Sequence, residues 1–165
     1  MQSKELLKMT LEMSRAMVLQ LIEDMKDAPL TFPTLKGGCH PLWILGNVTL
    51  AEGTFVREYI LGEPNPVAEW NDIFGAGTEP VADAAKYPPF HEVMAKSQEV
   101  REGTMALLDS FSEGDLDKPS KAPVKRQAYF GTARQCFLMT ALHWMMHRGQ
   151  VADARRAAGR KRIGP

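Results

Sequence analysis

Two histidines four residues apart, His143 and His147, carry the sharpest chemical signal in the sequence. In a helix this spacing puts both imidazoles on one face, one turn apart. Neutral imidazoles so placed can share a divalent metal ion through their ring nitrogens. They can equally be structural histidines satisfied by hydrogen bonds, and the spacing leaves both readings open. A metal would also need a third protein ligand from another helix. Gln150 falls on a neighbouring part of the same face. Trp144 follows His143 where a zinc-protease motif would carry glutamate, so that chemistry is disfavoured.

The remaining reactive side chains fit structural roles better. Cys136 lies seven residues before His143, about 10 Å along a helix, and reads as a buried thiol. His40 falls at a helix start, where capping or solvent exposure suits it. His91 reads as a surface residue. The two cysteines, Cys39 and Cys136, are distant from each other. Without a secretory signal they are expected as free thiols in a reducing compartment, which points to the cytoplasm.

Four amphipathic helices are expected to position these residues. The first runs from about Ser3 to about Met25, with Leu7, Leu11, Val18, Leu21, Ile22 and Met25 as its clearest apolar stripe. It should stop near Asp27, ahead of Pro29, Pro33, Gly37 and Gly38. The second starts at Pro41 and ends at Gly62. The third spans about Phe90 to Phe111. The fourth opens at Thr132, whose spacing from Gln135 suits a capping box, and runs to about Ala158 with Gly159 as its cap. Between the second and third helices, residues 62–89 form a long proline- and glycine-rich connection. Loops of that length usually carry function or cover a site. Trp70 and Phe74 should pin it down. Its length would let the second and third helices run parallel. No run reads as a strand, so the expected fold is all-α, a single four-helix-bundle domain over residues 1–165.

Composition narrows the function classes. Twenty Lys+Arg balance twenty Asp+Glu, which argues against coating nucleic acid or an acidic membrane. At 44% hydrophobic and 24% charged, the 165-residue chain is an ordinary globular one. The basic run Arg155, Arg156, Arg160, Lys161 and Arg162 reads as a solvated end that complements the helix dipole. No segment is long and apolar enough to span a membrane. Ten methionines suggest adaptable packing. Trp144 and Met145 should pack in the bundle or at a subunit contact.

Two segments, HPLWILGNVTLAEG at 40–53 and ALHWMMHRGQVADARRAAGR at 141–160, resemble the DinB-like superfamily of four-helix-bundle proteins, as does PVADAAKYPPFHEV at 80–93. The resemblance covers nearly the whole chain. It implies a divalent metal, nickel or zinc among others, held by three histidines. Two of these match His143 and His147. The third belongs to a W-x-x-G-H pattern, which here reads Trp43-Ile44-Leu45-Gly46-Asn47. Asn47 therefore stands in the ligand position, and an amide oxygen is a weaker partner than imidazole for such metals. Asn47 could instead hydrogen-bond a neutral histidine in a metal-free site. His40, about two turns before Asn47, could be considered as a substitute ligand, but its place at the helix cap favours capping or solvent exposure.

The resemblance and the departure from it at Asn47 leave two functions open. One is a metal-dependent enzyme of the thiol-transferase type with a weakened site, acting on a small molecule. The other is a non-catalytic small-molecule-binding or stress-response module. The resemblance also implies a homodimer.

Overall fold

The computed structural model describes residues 2–163, and these form seven α-helices with no strand. Helix α1 (Ser3–Glu23) begins with a capping box between Gln2 and Glu5. It buries Leu7, Leu11, Ser14, Val18, Leu21 and Ile22, and Met25 is wholly buried in the turn beyond. The apolar stripe read from the sequence is therefore its inner face. Its last helical residue falls two short of the expected Met25.

Helix α2 (Pro41–Gly53) has a different character. All its residues except Ala51 are buried, so it has no polar face and runs through the interior. The sequence predicts one helix from Pro41 to Gly62. The structure instead changes to π-helical winding over Thr54–Leu61 before Gly62 ends it at φ +71°. The change coincides with an inserted side chain. Asn65 donates to the Leu50 carbonyl at 2.8 Å and to Thr54 Oγ1 at 3.0 Å, across the junction. Gly53 makes room for it, since a Cβ there would lie 2.1 Å from Asn65 Oδ1.

The 62–89 connection is more ordered than a bare loop. It holds a 3₁₀ turn (Ala68–Trp70), the short helix α3 (Asn71–Phe74) and a second 3₁₀ turn (Ala84–Lys86). Trp70 and Phe74 are buried in the main core, as expected of anchors. Helix α4 (Phe90–Ser110) follows and packs mainly on α2. Residues 113–130 add α5 (Glu113–Leu116), another 3₁₀ turn and α6 (Gln127–Phe130).

Helix α7 (Ala133–Ala157) carries the histidine pair and packs along α1, the π-helical segment and α2. Thr132 and Gln135 form the expected capping box. At the other end Gly159 adopts φ +72°, and the Arg160 amide returns to the Arg155 carbonyl at 2.9 Å. The basic end is not simply solvated, as the sequence suggests. Arg155 is buried, pairs with Asp24 at 2.8 Å and donates to the Lys161 carbonyl, while Arg160 reaches Asp27. These contacts fasten the end of α7 to the end of α1.

Candidate functional site

His143 and His147 lie one turn apart on α7, with ring centroids 5.0 Å apart. His147 Nδ1–H donates to Gln150 Oε1 at 2.8 Å, which leaves Nε2 with its lone pair. His143 Nδ1 is buried with no hydrogen-bond partner among the described residues. Burial pushes the His143 pKa down to about 4, and the neighbouring His147 adds to that shift. Burial also lowers His147, opposed by its bond to Gln150. Both rings are therefore neutral at pH 7, the form a metal ion requires.

Asn47 lines the same cavity as His143, on the α2 side. Its Nδ2 donates to the Phe74 carbonyl at 2.7 Å. That bond uses the amide nitrogen and leaves Oδ1 on the other side of the carboxamide. Four residues earlier, the Trp43 indole N–H donates to Thr78 Oγ1 at 3.0 Å. One face of α2 thus ties down residues 74–78 of the connection. Gly46 completes this arrangement by letting the Phe74 ring lie directly against the helix backbone.

The cavity between α2, the π-helical segment, α6 and α7 measures about 620 Å³. A chain of rings forms its wall. Tyr59 and Phe130 have centroids 5.4 Å apart, Phe130 and Phe55 4.5 Å, and Phe55 and His143 5.9 Å. His147 does not line the cavity itself but lies behind it, with its ring 5.0 Å from His143 and 6.3 Å from Trp43. Sequence reasoning did not pick out Phe55, Tyr59, Phe130 or Arg126, which also lines the cavity. Phe55 and Tyr59 show helical spacing, but nothing local connects them with residues 126–130. Only the packing of α6 beside the π-helical segment does so.

The other sequence candidates lie elsewhere. His40 is wholly buried and caps α2, which excludes the solvent-exposed alternative. Its Nδ1 accepts from the Trp43 amide and its Nε2–H donates to the Val81 carbonyl, each at 3.1 Å, so neither nitrogen is free to bind a metal. Cys136 is buried, and its thiol is pushed up to about 12 by burial. Cys39 is half-buried, its thiol raised by burial and opposed by a hydrogen bond with Gln150. Both are free thiols. His91 is exposed.

Trp144 points away from the cavity into the core, where its indole N–H donates to Glu52 Oε2 at 3.3 Å. That carboxylate pairs with buried Arg101 at 2.7 Å.

Among the described residues, no group of three His, Cys, Asp or Glu is placed to hold a metal ion. The donors present are two neutral imidazoles and the amide oxygen of Asn47. His143 Nδ1, buried without a partner, and His147 Nε2, left with its lone pair, are the two imidazole nitrogens free to take a divalent ion. The amide oxygen makes this a weak set for zinc or nickel. Among the described residues no helix is long and apolar enough to cross a membrane.

Comparison with curated proteins finds no match. The family model of the DinB superfamily matches residues 10–151, a span that contains α2, the connection and both histidines. By that match over most of its length, the chain belongs to the DinB superfamily.

Proposed function

We propose that the chain is a single-domain, four-helix-bundle protein whose His143–His147–Asn47 pocket holds a divalent metal weakly and receives a small molecule, as in an enzyme of the thiol-transferase type. In this arrangement α1, α2, α4 and α7 form the bundle, and the connection lets α2 and α4 run parallel. The observation that carries the reading is His143 Nδ1, a buried imidazole nitrogen without a partner beside a second neutral imidazole. Such a nitrogen carries a desolvation cost that a bound ion would remove.

His143, His147 and Asn47 would hold the ion. When bound, it would lower the pKa of a thiol and so supply a thiolate nucleophile. The chain's own residues do the rest. Gln150 fixes the His147 tautomer, Asn47 Nδ2 ties the connection to α2, and the rings give the cavity an apolar wall.

The test is zinc and nickel titration of the metal-free protein, followed by melting temperature. Wild type should gain stability with either ion. His143→Ala should lose that gain, and Asn47→His should bind more tightly. If neither wild type nor Asn47→His takes up metal, the metal reading is wrong. The absence of a third strong ligand would then favour a non-catalytic small-molecule or stress-response module. That module keeps the cavity and predicts no response to chelator.

A homodimer and a cytoplasmic location belong to the same proposal. Leu6, Met9 and Met13 on α1 and Leu138, Leu142 and Met146 on α7 are large apolar side chains left exposed on two helices that pack together. A monomer in sedimentation at working concentration would exclude the dimer.

A further inference from the structure

The cavity has one formal charge and no acid on its lining. Arg126 is that charge, and neither Asp nor Glu lines the space. Its guanidinium makes no ion pair or hydrogen bond among the described residues; Arg15, Arg148 and Arg162 also have no acidic partner, but none of them lines this cavity. Glu58 is the nearby acid that acts on Tyr59, yet it pairs with nothing and does not line the cavity. The Tyr59 hydroxyl also makes no hydrogen bond among the described residues and feels the Arg126 charge. Two donors therefore face a space that no protein carboxylate fills. From them the rings of Tyr59, Phe130 and Phe55 lead to His143, with successive centroids 4.5–5.9 Å apart. That is the range in which aromatic groups stack or meet edge to face.

We infer that the cavity binds a flat aromatic or conjugated carboxylate. Arg126 and Tyr59 hold the carboxylate at one end, and the body lies along the ring wall toward His143. A guanidinium matches a carboxylate with two parallel N–H donors, and a ring wall favours a planar partner over a puckered one. About 620 Å³ is within the range of small-molecule sites. This ligand class rests on the small-molecule pocket of the proposed function and does not require the metal.

The experiment is isothermal titration calorimetry of the full chain at pH 7 with 2-naphthoate, with chelator present so that metal plays no part. Two matched probes accompany it: 2-naphthamide, which lacks the charge, and decahydro-2-naphthoate, which keeps the carboxylate and the carbon skeleton but is not flat. Naphthoate should bind, and both probes should bind about tenfold more weakly or not at all. Arg126→Gln should weaken naphthoate by about the same factor. Its melting temperature should be unchanged, because Arg126 is exposed and unpaired. No naphthoate binding, equal binding of the amide, equal binding of the saturated acid, or an unaffected Arg126→Gln would each overturn the inference. Zinc titration in the absence of naphthoate reads the metal reading separately, so either can fail while the other stands.

Discussion

Adding one methyl group at Gly46 tests how the site is held. An ideal Cβ there would lie 2.4 Å from Cδ1 and Cγ of Phe74 and 2.5 Å from Cε1. Carbon atoms prefer 3.5–4.0 Å, so the ring would have to retreat by about 1 Å. Phe74 is wholly buried, with Trp70 at 5.3 Å and Tyr87 stacked at 5.6 Å. The ring therefore has little room to move. Overpacking of this kind costs about 1–3 kcal/mol, and the severity of the contact points to the upper end. Alanine returns up to about 1 kcal/mol through helix propensity.

Gly46→Ala should thus destabilise the protein by about 2 kcal/mol, or lower its melting temperature by roughly 4–8 °C. Urea unfolding followed by far-UV circular dichroism would measure it. The same methyl should cost less in a Phe74→Leu background, where the ring is gone, so the two changes should not add. A Gly46→Ala protein as stable as wild type, or strict additivity with Phe74→Leu, would refute the reasoning. Retreat of Phe74 would also move the carbonyl that Asn47 holds at 2.7 Å, so metal or ligand binding should weaken in the variant.

Two further predictions concern buried polar groups. Arg101→Met should cost about 3–5 kcal/mol, because it leaves the Glu52 carboxylate buried without its guanidinium, whereas the Arg101→Met/Glu52→Leu double variant should recover most of the loss. A double-mutant cycle in urea would show a failure to recover. His40 gives a pH dependence whose sign follows from its burial. Its folded pKa is about 4, held down by burial, against about 6.5 unfolded, so the unfolded state binds the proton first. Stability from His40 is complete above pH 6.5 and declines by up to about 1.4 kcal/mol per unit as pH falls toward 4. His40→Ser keeps a capping oxygen but cannot titrate, so its stability should fall less steeply between pH 6 and 4.5 in pH-series urea melts. A slope unchanged from wild type would refute that assignment.

Local patterns in the sequence determine much of this protein. The apolar stripe of α1, Pro41 at the start of α2, the Thr132–Gln135 capping box and Gly159 are features of a few neighbouring residues, and each sits where local chemistry requires. The spacing of His143 and His147 likewise fixes their common face, because the helical period does so wherever the helix lies.

Tertiary packing decides the rest. Only the insertion of Asn65 marks where α2 gives way to π-helical winding, and Asn65 is distant along the chain from the junction it enters. Arg155 and Arg160 look like a solvated end until Asp24 and Asp27, more than 130 residues away, supply their partners. The cavity wall joins residues 55–59 to residues 126–130 and His143, which no periodicity connects. The burial that leaves His143 Nδ1 without a partner, and its imidazole neutral, comes from the same packing. Helical spacing sets which side chains share a face, but only the neighbouring elements decide whether that face meets water, a hydrogen-bond partner or a cavity.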